Sequence, residues 1–173
     1  WSTLALGLGT HTEGYYTTAS GNYSHAEGQA TTAVGNYSHA EGTGNAYGAA
    51  SHAEGSDTAA YGDYSHAEGQ ATIASGSYQH VQGQWNISSS AQSAFIHGNG
   101  TADNARSNLI FASGSRVQVT GSLTITGSLA MSPSSSLILP LTSSTAPATG
   151  SAYWSGSFLF VYNGTRYMSA SFF

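Results

Sequence analysis

A chain of 173 residues with no lysine, three arginines and eight acids carries a net charge of −5, and only 6% of its residues are charged. That fraction is far below the roughly 25% of ordinary soluble domains. The acidic balance speaks against nucleic-acid binding, and the lack of cysteine removes disulfide and thiolate–metal chemistry. No stretch approaches the 18 or so apolar residues of a membrane span, so no membrane insertion is expected. Trp1 rather than Met opens the chain, with no signal-peptide pattern, as expected of a fragment or processed product.

The first half is written in one cassette. All five glutamates, Glu13, Glu27, Glu41, Glu54 and Glu68, close a motif Ser/Thr-His-Ala/Thr-Glu-Gly, and a degenerate copy follows at Gln79-His80-Val81-Gln82-Gly83. Its histidines, His11, His25, His39, His52, His66 and His80, are spaced 14, 14, 13, 14 and 14 residues apart. A fixed period of this kind is the mark of stacked repeats. A finer beat, Ser/Thr-x-Ala-x-Gly, recurs every seven residues from Thr3-x-Ala5-x-Gly7 to Thr72-x-Ala74-x-Gly76. One residue is missing near Gly44-Ala46-Gly48, which accounts for the spacing of 13.

A heptad beat in a coiled coil needs large apolar residues at two positions. Here those places hold Ser, Ala and Gly, and recurrent glycine would ruin a helix. The i, i+2 alternation belongs to strands, whose side chains point to opposite faces in turn. Each heptad therefore predicts one short strand and a glycine turn with φ > 0, and two heptads make one coil of a parallel β-roll over residues 1–85. Parity places Ser24 and Ala26 in a narrow interior and His25 and Glu27 outside. The roll thus has one uniform His/Glu face and one variable face.

This beat resembles the left-handed parallel β-roll repeat of trimeric autotransporter adhesin heads, whose repeat carries a Ser-x-Ala-x-Gly core. The Ser-His-Ala-Glu-Gly version is similar to the form found in bacteriophage tail fibre and other virion appendage proteins. The likeness covers residues 3 to 83, about half the chain. It implies a homotrimer in which the positions flanking the alanine face the three-fold axis. Adhesins place Val and Ile there; this chain departs from them with His and Glu. The implied seam is a ladder of His11, Glu13, His25, Glu27, His39, Glu41, His52, Glu54, His66, Glu68 and His80. Three chains wrapped together would also hide surface that is poor in charge for a soluble monomer.

Beyond the roll the beat decays. Residues 86–113 read as a neck, in which Ala94-x-Ile96-x-Gly98 is a last, larger-cored coil and His97 lies off the motif. From 114 to 136 a six-residue beat (Thr120-Gly121-Ser122, Thr126-Gly127-Ser128) with alternating apolar residues predicts an intertwined triple-stranded β shaft. Residues 137–173 form a C-terminal module with a hairpin at Asn163-Gly164, the strongest short hairpin signal. The run from Gly150 through Arg166 looks like the short β-module near the C-termini of many phage fibres.

His-x-Glu puts an imidazole and a carboxylate on one strand face, about 7 Å apart along the strand. The preferred reading is structural: each histidine donates to a glutamate of a neighbouring chain or coil, since buried polar groups need partners. Stacked ion sites are the second reading, although no metal or cofactor is assigned. Catalysis is the weakest, because five identical copies do not make one active site and no nucleophile stands out. No enzyme is expected. Tyr23, Tyr37, Tyr64 and Tyr78 precede the cassette at a fixed offset and predict an aromatic ladder, for packing between chains or for stacking on sugar rings. A threonine ice-binding face is disfavoured by the irregular outward pairs. The expected function is a structural homotrimeric fibre of a virion appendage, extracellular on the particle. Its partners would be other virion proteins and a host-surface glycan or protein receptor. The alternative is the head of a bacterial trimeric surface adhesin.

Overall fold

The structure is a computed structural model that describes residues 2–126 and the backbone of three C-terminal strands. It separates into two compact units, Trp1–Thr124 and Ile125–Phe173. In chain order the first unit opens with β1 (Leu4–Ala5), β2 (His11–Tyr15), β3 (Thr18–Ala19), β4 (His25–Gln29), β5 (Thr32–Ala33) and β6 (His39–Ala40). It continues with β7 (Asn45–Ala46), β8 (His52–Ser56), β9 (Ala59–Ala60), β10 (His66–Gln70), β11 (Ile73–Ala74) and β12 (His80–Gln84). Last come β13 (Phe95–Asn99), a 3-10 turn (Asp103–Ala105), β14 (Asn108–Ser113) and β15 (Arg116–Val119).

These strands make a β-solenoid of about seven turns. The cassette strands stack in parallel from β2 to β13, and β14 and β15 extend that sheet as an antiparallel end. The short strands β1, β3, β5, β7, β9 and β11 form the second wall. Register is one repeat per step, so His11 pairs with His25, Glu13 with Glu27 and Gly14 with Gly28. Each residue of the cassette therefore lies in a column of its own kind.

The predicted parity holds. Ala19, Ala26, Ala33, Ala40, Ala46, Ala53, Ala60, Ala67 and Ala74 are all 0% exposed, and they fill the roll in two files. The inward serines are satisfied locally, Ser51 Oγ donating to the Gly48 carbonyl at 2.7 Å and Ser24, Ser38 and Ser65 repeating the bond. The core widens only at its end, where Val81 and then Ile96 succeed Ala67 in the same file. That is the larger-cored last coil expected at Ala94–Gly98.

The turns differ from the expectation. The cassette glycines, such as Gly55 at φ +104°, lie at positive φ, whereas Gly62 and its equivalents do not. Gly62 is needed for another reason: a Cβ there would fall on the carbonyl of Gly76 in the next coil. Most of the other left-handed corners in the roll carry non-glycine residues, among them Tyr23, Tyr37, Tyr64 and Tyr78 (φ 56° to 60°) and Ala30, Asp57 and Ala71 (φ 51° to 55°). Each such corner turns its N–H onto the previous coil, as Tyr37 N does to Asn22 O at 2.8 Å and Ala71 N to Ser56 O at 2.7 Å. These inter-coil bonds hold a conformation that is otherwise uncommon for side-chain-bearing residues. The 13-residue coil has dropped this corner residue: Thr32 pairs with Asn45, and no counterpart of Ala30 remains between Gly42 and Gly44.

An open sheet edge invites unwanted pairing, and the short-strand wall ends on a side-chain substitute for a strand. Buried Asn86 accepts from Ile73 N at 2.7 Å and donates to Ile73 O at 3.0 Å. Arg106 pins it, donating to Asn86 O at 3.2 Å and Ala71 O at 2.8 Å while pairing Asp103 at 2.6 Å. Beyond it, β14 and β15 form a hairpin with a two-residue connection at Gly114-Ser115. Residues 116–119, placed by the six-residue beat in the shaft, thus belong to the edge of the roll's own sheet, and residues 120–126 carry no strand. The remainder of the predicted shaft lies outside the described residues.

The second unit contains β16 (Ala152–Ser155), β17 (Phe158–Tyr162) and β18 (Tyr167–Ser171) in one antiparallel sheet. The predicted hairpin is present as β17–β18. Its register pairs Tyr162 with Tyr167, so the connection spans 163–166, outside the described residues.

Candidate functional site

In-register stacking turns the outward His-x-Glu pairs into two parallel columns on one face. The imidazoles of His25, His39, His52 and His66 stack with centroids 4.7 Å apart and planes within 10° of parallel. His11 and His80 continue the stack at 4.7 and 4.9 Å with tilted rings, and Phe95 closes it 5.7 Å from His80. His97, outside the motif in the sequence, pairs with Gln82 and so falls in the glutamate column. The structure thus brings the whole predicted ladder together on one chain.

Imidazole and carboxylate approach without bonding. His66 Nε2 lies 3.5 Å from Glu54, His39 Nε2 lies 3.8 Å from Glu27 and 4.0 Å from Glu41, and His52 Nε2 lies 3.9 Å from Glu54. These separations exceed an N–H···O hydrogen bond. The Nε2 atoms of His25, His39, His52 and His66 are buried and have no hydrogen-bond partner, although about a third of each side chain is exposed. The hydrogen-bond ladder expected between coils is therefore not made at these atoms within one chain.

The columns shift each other's protonation. Burial holds His52 below its ordinary value, and His66 and His39 above and below reinforce this against the pull of Glu54 and Glu41. For Glu68, burial is the largest single influence and pushes upward. The adjacent Glu54 and His80 and the field of the histidines outweigh it, leaving the carboxyl below its usual value. A depressed folded pKa contributes stability above the unfolded value that is lost as pH falls. His52 thus contributes fully above about 6.5 and Glu68 above about 4.5. Both act in the same direction, so calorimetry should show Tm falling by a few degrees on acidification through the first window and further through the second. A Tm flat or rising between about pH 7.5 and 4 would contradict this.

Beside the carboxylates run two open grooves floored by cassette glycines. One, of about 440 Å³, lies along Glu13, Glu27 and Glu41; the other, of about 460 Å³, along Glu41, Glu54 and Glu68. Three donor sets bring their ligand atoms within 4.8 Å of one another: Glu13/His25/Glu27, His39/Glu41/His52 and His52/Glu54/His66.

The predicted tyrosine ladder divides into two stacked pairs. Tyr23 and Tyr37 lie 5.4 Å apart and Tyr64 and Tyr78 5.1 Å apart, separated where Ala50 takes the corner. A third stacked pair, Tyr47 and Tyr61 at 4.8 Å, sits on the variable face. Its signal was visible as outward residues one repeat apart, with nothing in their spacing to single them out. Compared with protein-family models, curated proteins and solved structures, the chain finds no match.

Proposed function

We propose that this chain is a structural, non-enzymatic segment of a homotrimeric fibre, a virion appendage of the tail-fibre type exposed outside the particle and used in host-surface attachment. Its roll would be left-handed, its His/Glu face would meet the three-fold axis, and an intertwined shaft would follow. The observation that carries the reading is the unfinished face: a flat column of buried imidazole nitrogens without partners, repeated rung after rung. A buried polar atom without a partner costs stability, and donors or acceptors from two further chains would satisfy it. The thin alanine core supports the same reading, since it buries little apolar area per residue. So do the exposed Leu4, Leu6 and Leu8 at one end and Val117 and Leu123 at the other.

Partners follow from the reading: other virion proteins along the fibre, and a host glycan or protein receptor that the stacked tyrosine pairs suit. Native mass spectrometry tests it directly. Three-chain mass is expected, with His39→Ala and Glu41→Ala lowering trimer stability and Thr32→Ala, on the opposite wall, leaving it within about 0.5 kcal/mol. A single-chain mass at working concentration would overturn the proposal.

A further inference from the structure

Two of the distances on the His/Glu face are long for a hydrogen bond and close to the separation of two donors on one metal ion. An ion held at about 2.0–2.2 Å by an imidazole nitrogen and a carboxylate oxygen at a tetrahedral angle sets those two donors about 3.4 Å apart. His66 Nε2 and Glu54, and His80 Nε2 and Glu68, stand at 3.5 Å, and the other pairs at 3.8 to 4.0 Å. Four of these nitrogens are buried without any hydrogen bond. The carboxylates themselves are stacked one rung apart, with no lysine or arginine among the described residues of the face to balance them. Like charges this close repel. A divalent cation between the two columns would resolve both conditions at once.

We propose that the His/Glu face is a linear transition-metal site on each chain. One ion binds at Glu13/His25/Glu27, and a second at either His39/Glu41/His52 or His52/Glu54/His66. The last two sets share His52, which offers one ligand atom and serves one ion, so the three sets hold two ions per chain. A mixed imidazole and carboxylate set suits Zn²⁺, Ni²⁺, Co²⁺ or Cu²⁺ rather than Ca²⁺ or Mg²⁺. Metal ligation requires a neutral imidazole. Remaining coordination positions go to water. All three donor sets come from one chain, so the inference does not rest on the fibre reading.

The test is native mass spectrometry of the full chain, stripped with chelator and titrated with Zn²⁺. Ions are counted per chain, while the number of chains is read separately from the same spectrum. Two zinc ions per chain are expected. His25→Ala should leave one. His52→Ala breaks both overlapping sets and should also leave one, whereas His39→Ala spares His52/Glu54/His66 and should keep two. A purely structural role would not produce that pattern. Co²⁺ added to the unmutated chain should give visible absorption bands of a nitrogen/oxygen site, a readout independent of whether any variant folds. No zinc uptake by the unmutated chain, or Ca²⁺ uptake equal to that of Zn²⁺ and indifferent to the histidine substitutions, would overturn the proposal. The latter result would mean a carboxylate counter-ion layer only.

Discussion

Gly55→Ala is expected to cost about 4 kcal/mol or more, enough to lower Tm by about 8 to 16 °C in a chain of this size. Two independent penalties meet at this position. Its φ of +104° lies well outside the region that L-residues with a side chain occupy readily. A Cβ would also fall on the carbonyl of Gly69, the residue in register with it in the next coil. The flexible end of a side chain can swing aside, but a strand backbone cannot, because it is hydrogen-bonded to the coils on both sides. Gly114→Ala is the matched control. Gly114 also has positive φ, at +57°, but nothing lies within 4 Å of an added Cβ. Only the conformational penalty applies there, about 1 kcal/mol. Urea unfolding of the two variants at one protein concentration decides the matter. Equal losses would mean that coil-to-coil approach does not limit the repeat.

Ala53→Leu is expected to cost about 3 kcal/mol or more. Ala53 is fully buried midway along a file of alanines, and the roll's two walls are set by backbone hydrogen bonds from coil to coil. Three added carbons have no cavity to enter, so they must part the walls or force strained rotamers. The same file accepts larger residues toward its end, where Val81 and Ile96 lie in register with Ala67. Val81→Leu should therefore be milder, near 1 kcal/mol. A stability loss at Ala53 no larger than at Val81 would show that the roll can widen anywhere along its length.

Much of this architecture was legible beforehand, and for a definite reason. A stacked repeat places each residue above its own copy, so the order of residues already names the neighbours. The interior alanines, the uniform His/Glu face, the shortened coil at 44–48 and the cap at Ile96 all follow from counting. What counting missed are features set by how the coil closes. Tyrosine is not a turn former, yet Tyr23, Tyr37, Tyr64 and Tyr78 take left-handed corners because their N–H groups reach the coil before. The hairpin at Gly114-Ser115 was hidden by a six-residue beat that runs through it and suggested a separate shaft. The tyrosine ladder was expected in one piece, and Ala50 divides it.

The order of residues by itself determined the period, the parity of the strands and the columns that repeat on each face. Those depend only on spacing along the chain and the two-fold alternation of a strand. The tertiary structure alone decided which glycines turn and which merely make room, since that depends on where the next coil's carbonyl falls. It also decided that the Nε2 atoms of His25, His39, His52 and His66 stand 3.5 to 4.0 Å from the carboxylates with no hydrogen bond made. Spacing along a strand brings two side chains to one face. The distance between their tips is set by rotamers, and here the rotamers are set by the stack above and below.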